Sequence, residues 1–309
     1  MQAPRVSICI PTYNHAGFLR AAIDSALMQT ESDLEIIIID DCSADETLAV
    51  AASYHDRRLR VEKNERRLGE YLSCYRFFEN TRGRYLKFLH DDDILHPEAV
   101  GRLADALDRF PQAAFASSAW NHMDATGRCL RTVRLTDDAP ADGALIGLRE
   151  IARLTWLAKN LVGNPSAVLM RQNAFGCRVR TDYRQIGDWE LWLQLLLHGP
   201  LVYLPQTLSA YRAHAETQTA RQRYVALTSD ELLTMSLEWR STLARFRGEV
   251  SRFDLKRLQL LCFASALQHA FQCLFRGQVE NLFENLRIVI RSLSILAAKP
   301  KVESARRLL

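Results

Sequence analysis

No apolar run of about 18 residues interrupts this chain, which argues against a membrane-spanning helix. A charged-then-apolar leader is also missing. The first apolar run, Val6 to Ile10, has strand length and stops at Pro11, so export by the usual route is not expected. The seven cysteines are odd in number and show no CxxC pairing, which reads as buried free thiols in a reducing compartment and excludes a disulfide framework or a zinc ribbon. A cytoplasmic protein is expected. No G-x-G-x-x-G follows a strand, which speaks against a nucleotide-cofactor dehydrogenase. Internal repeats and low-complexity stretches are absent as well.

What is present is a chain of 309 residues, 48% hydrophobic and 25% charged, with a mild net charge of +4. That composition suits one large or two modest globular domains, and implies no nucleic-acid partner. The first half alternates short apolar runs with helical spacing, as a parallel sheet with crossover helices does. Strands are expected at Val6 to Ile10, Leu34 to Ile39, Leu59 to Val61 and Tyr85 to Leu89. Helices are expected from Phe18 to Leu27, after Asp45 and over Gly69 to Asn80. The four isoleucines Ile36 to Ile39 suit a strand buried on both faces. A helix and a strand follow between Pro97 and Phe115, then a loop from Asp124 to Gly147. Helices at Leu148 to Lys159 and Asp188 to His198 bracket a strand at Ser166 to Met170, and two short strands at Leu201 to Leu204 and Leu208 to Tyr211 close the region. Beyond Arg221 the pattern is helical with little Gly or Pro, which sets a boundary near residue 220.

Two strands end in acid: Leu34 to Ile39 runs into Asp40 and Asp41, and Tyr85 to Leu89 into Asp91, Asp92 and Asp93. Ligands of open α/β sheets lie beyond the carboxyl ends of the strands, so both clusters should face one crevice. Adjacent carboxylates repel one another, and clustered carboxylate oxygens suit hard cations such as Mg²⁺ or Mn²⁺. A solvated turn with Asp93 capping the next helix is the competing explanation.

Taken in order, five segments make the chain resemble the family 2 glycosyltransferases of GT-A fold. Val6-Ser7-Ile8-Cys9-Ile10-Pro11-Thr12-Tyr13-Asn14 is similar to the family's opening strand and its Pro-x-Tyr-Asn signature. Ile39-Asp40-Asp41-Cys42-Ser43-Ala44-Asp45 is similar to its Asp-Asp-x-Ser-x-Asp element. Phe88-Leu89-His90-Asp91-Asp92-Asp93-Ile94-Leu95-His96-Pro97 resembles the DxD metal motif with its trailing proline, His90 standing where the first aspartate is usual. Ile186-Gly187-Asp188-Trp189-Glu190-Leu191-Trp192 resembles the segment that carries the base, with Gly187 in place of the usual glutamate, and Leu208-Ser209-Ala210-Tyr211-Arg212-Ala213-His214 matches a following Tyr-Arg-x-His.

The resemblance implies a mixed, mainly parallel nucleotide-binding sheet flanked by helices over residues 1–220 (nucleotide half 1–118, acceptor half 119–220), with an α-helical extension over 221–309. It implies a metal-dependent, inverting transfer of sugar from a nucleotide-diphosphate donor, a UDP-sugar, to a glycan or lipid-linked glycan of bacterial surface polysaccharide. Asp188 is the implied general base, and Pro11, Tyr13, Asn14, Asp40, Asp91 and Arg212 the implied nucleotide contacts. Asp92 with His214 would hold Mn²⁺ or Mg²⁺.

Chemistry supports these roles. Tyr13 can stack on a base and Asp40 can accept from a pyrimidine ring N–H, although a turn residue and a cap explain them better in isolation. Arg66 and Arg67 are further candidates for the diphosphate, or a solvated loop. Trp189 and Trp192 can line an acceptor sugar or pack in the helix, and Gly163-Asn164-Pro165 forms a turn. A sugar nucleotidyltransferase is the alternative enzyme, yet Pro11 to Gly17 lacks that class's Gly-rich basic loop. A binding protein without catalysis is the other alternative, and the pairing of Asp92 with Asp188 argues against it.

In the tail, Val279, Leu282, Phe283, Leu286, Val289, Ile290, Leu293 and Leu296 follow helical spacing, with Lys299, Lys301, Arg306 and Arg307 near the end. Peripheral contact with anionic lipid at the inner membrane face, or packing on the fold or a second subunit, is the expected use.

Overall fold

The computed structural model describes residues 3–148, 150–151, 160, 162–174, 183 and 186–214, and single positions or short runs at 217, 231, 234–235, 260, 264, 267, 283, 286–291 and 293. Its contacts divide the chain into two compact units. Unit 1 comprises Met1–Gly147, Asn160–Thr181 and Leu191–Ala215, and unit 2 comprises Leu148–Lys159, Asp182–Glu190 and Glu216–Leu309. The second unit therefore takes segments from within the expected acceptor half, besides the tail.

Unit 1 is built on a ten-stranded sheet. Strands β1 (Val6–Thr12), β2 (Leu34–Asp40), β3 (Leu59–Lys63) and β4 (Tyr85–Phe88) pair in the order β3-β2-β1-β4, all parallel. Helices α1 (Ala16–Leu27), α2 (Thr47–Ala52) and α3 (Glu70–Asn80) make the crossovers. The isoleucines of β2 are fully buried, as a central parallel strand covered on both faces requires. Leu19, Ala22, Ile23 and Ala26 of α1 pack on this sheet with Val6, Ile8, Ile10 and Ile36. β1 takes β2 on one side from the first crossover and β4 on the other from the third, so the chain reverses direction across the sheet between β3 and β4. Such a reversal opens a crevice beyond the strand ends.

Past β4, the two-residue β5 (Ile94–Leu95) and helix α4 (Ala99–Arg109) lead to the long β6 (Phe115–Met123). The stretch expected as a loop, Asp124 to Gly147, contains two further strands, β7 (Cys129–Val133) and β8 (Ala144–Ile146). β7 returns against β6 as an antiparallel hairpin whose residues are largely exposed, which is why no apolar run marks it. β9 (Val168–Arg171) lies antiparallel between β4 and β6. Two short strands were expected at the end. They are one strand, β10 (Leu201–Arg212), parallel to β6 and bulged between Leu204 and Ser209, where Pro205 and Gln206 interrupt the apolar pattern.

Helix α5 (Gly187–His198) begins one residue before the expected start. Its Trp192 is buried, stacks on Phe115 at 5.9 Å and donates from Nε1 to the carbonyl of Gly163 at 3.1 Å. The packing role is the one this tryptophan fills. Most of the expected helix Leu148 to Lys159 lies outside the described residues. In unit 2, Ile288 and Val289 are buried with Leu267 against them, while Phe283, Leu286, Ile290 and Leu293 are exposed. Val279, Leu282 and Leu296 of the expected stripe lie outside the described residues.

Candidate functional site

Both acidic strand ends open onto the carboxyl edge of β1, β2 and β4. Asp40 ends β2 fully buried, and its carboxylate accepts from the Ser43 N–H at 3.1 and 3.3 Å. Asp41 turns the other way and gathers the loop after β3. It accepts from Asn64 Nδ2 at 2.7 Å and from the backbone N–H groups of Leu68 and Gly69 at 2.7 and 2.8 Å. Burial opposes ionisation of Asp41, but the bonds from Leu68, Asn64 and Gly69 outweigh it and hold the carboxyl below its ordinary range. Gly69 itself adopts φ 87°, where a side chain would be strained. The loop so clamped lays Arg67 over the Tyr13 ring, its guanidinium carbon 4.0 Å from the centroid.

At the end of β1, Pro11 is half-buried opposite Ile39. Asn14 takes φ 53° and bridges the β1 and β2 loops: its N–H donates to Ser43 Oγ at 2.9 Å, and its Oδ1 accepts from Ala44 at 2.8 Å. Asn14 thus shapes the cradle with its side-chain carbonyl already engaged. Next to it stands His15, whose Nδ1 lies 2.8 Å from Asp91 Oδ1. Asp91 Oδ2 also accepts from the Tyr13 N–H at 3.4 Å, which joins the first motif to the third.

The acidic turn divides its three carboxylates by task. Asp93 is fully buried and does not cap a helix: it accepts from Arg212 N at 2.9 Å and from Asn164 Nδ2 at 2.6 Å. Burial raises its pKa against the opposing influence of His90, Ser166, Arg212 N–H and Asn164. Asp92 lies between its neighbours, with His214 Nε2 3.0 Å from its Oδ2. Burial, then the charges of Asp93 and Asp91, push its pKa up to about 7. A cation would relieve that crowding. The ligand atoms of His15, Asp91 and Asp92 lie within 4.8 Å of one another, as do those of His90, Asp92 and Asp93. Carboxylate oxygens with imidazole nitrogens are a donor set that fits a divalent ion. Asp92 belongs to both groups.

Arg212 is buried and spends its guanidinium on backbone. Nε donates to the Asp92 carbonyl at 2.8 Å, Nη1 to that of Ala125 at 3.1 Å, and the group lies over Phe18 at 5.4 Å. Its geometry is that of a brace beneath the acidic turn. The ring of His214 packs on Phe18 at 4.3 Å, which aims Nε2 at Asp92.

Sequence reasoning passed over His15, Lys87 and Ser166. Lys87 is fully buried, donates to the carbonyls of Ser166 and Val168, and has its pKa pushed down to about 7 by burial against the pull of Asp93. Ser166 Oγ in turn accepts from the His90 N–H at 3.0 Å. Only adjacency to the Pro-x-Tyr-Asn signature marked His15, and a lysine inside an apolar strand was the one local sign of Lys87. Asp188 falls in the second unit, at the first turn of α5, half-buried with its Oδ1 2.9 Å from the Trp189 N–H.

The chain is similar to known proteins. The family model described as Glycosyl transferase family 2 matches residues 7–178. The Mycobacterium tuberculosis "Uncharacterized protein MT1568" is 31% identical over 228 residues, 71% of this chain and 70% of its own. "Uncharacterized glycosyltransferase RP339" of Rickettsia prowazekii is 39% identical over 107 residues, 35% of this chain and 33% of its own. "Succinoglycan biosynthesis protein ExoO" of Rhizobium meliloti is 29% identical over 175 residues, 57% of this chain and 46% of its own. The chain thus spans only a third of the rickettsial relative and under half of ExoO. Among solved structures, S. aureus TarS 1-349 in complex with UDP-GlcNAc superposes with TM-score 0.64 at 13% identity, covering 97% of this chain and 94% of that one. The mannosyltransferase PcManGT of Pyrobaculum calidifontis in complex with GDP-Man and Mn²⁺ gives 0.57 at 15%, covering 95% and 88%. These two likenesses establish the GT-A fold. The family model spans more than half of the chain and includes both acidic strand ends, so this protein belongs to glycosyl transferase family 2 and is a transferase.

Proposed function

We propose that the protein moves a sugar from a nucleotide-diphosphate donor, a UDP-sugar, onto a glycan or lipid-linked glycan with inversion at the anomeric carbon. The observation that carries this reading is the convergence of Tyr13, Asp40 and the crowded Asp92 on one strand edge. Tyr13 supplies a ring for the nucleobase, and Asp40 an acceptor at the floor of the same cleft. Asp41 holds the loop that carries Arg67 to that ring, so Arg67 offers a cation to an incoming nucleotide. Pro11 and Asn14 shape the cradle, and Arg212 holds the acidic turn in place from below. Asp92, with His214, Asp91, His15 and His90 as further donors, would hold the divalent ion. Such an ion supplies charge neutralisation for the departing diphosphate. The imidazoles in the donor set favour Mn²⁺ over Mg²⁺.

Asp188 acts as general base, taking the proton of the acceptor hydroxyl as that oxygen attacks the anomeric carbon opposite the leaving group. One displacement inverts the configuration. A screen of radiolabelled UDP-sugars with Mn²⁺, read as release of UDP, tests the reading. Turnover of at least one donor that disappears in EDTA is the expected result, and no nucleotide binding by calorimetry would refute it.

The acceptor side of the proposal points to a membrane surface. No helix among the described residues is long and apolar enough to cross a bilayer. Phe283, Leu286, Ile290 and Leu293 are nevertheless exposed at helical spacing, with Arg287 and Arg291 exposed among them. Apolar residues flanked by cations fit an anionic lipid surface, where a lipid-linked acceptor would lie.

A further inference from the structure

One cluster in the first unit has no part in the transfer as proposed. On β6 and β10, Trp120 and Tyr211 meet edge to face with centroids 6.1 Å apart, His122 stacks on Tyr211 at 5.3 Å, and Trp120 lies 6.3 Å from His122. The register explains the grouping. Tyr211 is opposite His122 and Ser209 opposite Trp120, so residues spaced by two on paired strands share one face. None of the three rings is fully buried. Burial and the nearby Arg131 lower the pKa of His122, which keeps the imidazole a neutral ring.

The polar atoms around these rings are the second observation. Trp120 Nε1, Ser209 Oγ and Asn164 Oδ1 are buried, and none has a hydrogen-bond partner in the protein. Each such atom costs about 1–3 kcal/mol, so folds rarely gather several for packing alone. Gly163 lies against the indole. Its φ is 107°, and a Cβ there would lie 3.2 Å from Trp120 Nε1 and 2.8 Å from Ala167 Cβ. A bare backbone at 163 lets the turn close on the indole and carries Asn164 beside it. The Asn164 Nδ2 meanwhile donates to Asp93 at 2.6 Å, which ties this corner to the acidic turn.

Flat rings, a free N–H donor, a free carbonyl acceptor and a hydroxyl are what a pyranose requires: its C–H faces lie on aromatic rings while its hydroxyls both donate and accept. We infer that Trp120, His122 and Tyr211, together with Asn164 and Ser209, form the seat of a hexose ring in the reaction. The inference rests on the transferase reading for the source of that sugar, which is either the unit carried by the donor or the terminal unit of the acceptor. A site with buried polar groups that a sugar hydroxyl satisfies discriminates strongly against sugars lacking that hydroxyl.

Trp120→Phe keeps a ring and removes the N–H, and His122→Ala removes one wall. The probes are UDP, UDP-glucose, UDP-N-acetylglucosamine and GDP-mannose by calorimetry, and free glucose, galactose, mannose and N-acetylglucosamine by tryptophan fluorescence. Trp120→Phe is expected to bind UDP as the wild type does and to lose about fivefold to tenfold in affinity for a sugar-bearing probe, the worth of one hydrogen bond with its unpaired partner. Loss on a sugar nucleotide assigns the seat to the donor, and loss on a free hexose assigns it to the acceptor. Unchanged sugar affinity in both variants overturns the inference. So does an equal loss for UDP and its sugars with a lowered melting temperature, or a wild type that binds no sugar in either form. Should the protein bind no nucleotide at all, the transferase reading fails separately. Quenching by free hexoses that is present in the wild type and missing in Trp120→Phe would still uphold the seat.

Discussion

Asp41→Asn tests whether the loop after β3 is held by a single carboxylate. In the wild type Asp41 Oδ1 accepts from Asn64 Nδ2 and Leu68 N, and Oδ2 accepts from Gly69 N. An asparagine keeps the shape, and its carbonyl can retain the first two bonds. Its NH₂ then faces the Gly69 N–H, donor against donor. One charge-assisted bond is lost and two become neutral. Charge-assisted bonds contribute about 1.5–3 kcal/mol and neutral ones about 1 kcal/mol. Leu68 and Gly69 are only half-buried, so water recovers part of the loss, leaving about 2 kcal/mol. At 1.4 kcal/mol per decade that is about a thirtyfold rise in loop opening. Hydrogen exchange at residues 65–69 should quicken by that factor. UDP affinity should fall by about tenfold, because Arg67 rides on this loop over Tyr13. The sign with pH follows from the lowered folded pKa: the clamp stabilises above the unfolded value and is lost as pH falls through the folded one. The variant should therefore lose the wild type's acid-side fall in loop protection. Exchange and UDP affinity within twofold of wild type would refute the clamp.

Asp92→Ala is expected to abolish metal-dependent transfer while the fold survives, and full activity after EDTA treatment would sink the metal assignment. Burial and the neighbouring carboxylates raise the Asp92 pKa, so the metal-free protein is expected to bind more protons than the unfolded chain above the ordinary carboxyl range. Its stability should fall as pH rises through that window, and Mn²⁺ affinity should rise over the same window, since the ligand must be deprotonated. Melting and calorimetric titrations from pH 5 to 8 measure both, and flat profiles would contradict the crowding of the three aspartates. Asp188→Asn should lower turnover by about a hundredfold or more with UDP affinity nearly unchanged; loss of UDP binding would move Asp188 into the donor site. Full-length protein should float with anionic vesicles at low salt, and Phe283→Glu with Ile290→Glu should stop it. Failure of the wild type to float, with a dimer by sedimentation, would give that face to a second copy.

The chain's local signals reach as far as its local physics. Apolar runs identified β1, β2 and β4, and the acid that ends the last two identified the strand edge carrying Asp40 and Asp91 to Asp93, because burial on both faces demands a continuous run and a strand end permits an abrupt switch to charge. The Pro11-Tyr13-Asn14 and Asp188 segments were legible as motifs for the same reason: each lies within a few residues. Contacts across the sheet were not legible. That His15 meets Asp91, 76 residues away, or that Lys87 reaches the carbonyl of Ser166, 79 away, depends on strand order, and periodicity does not encode which strands become neighbours. The exposed hairpin strand β7 left no apolar trace, and the bulge in β10 looked like a gap between two strands. Arg212 shows the difference most directly. Its motif was legible in the sequence, but only the parallel pairing of β10 with β6 brings its guanidinium beneath the Asp92 and Ala125 carbonyls, to which Nε and Nη1 donate. Residue type and spacing selected the chemistry available at the strand ends. Tertiary pairing decided which of those groups meet at one strand edge, because the contacts that set strand order join residues far apart in the chain.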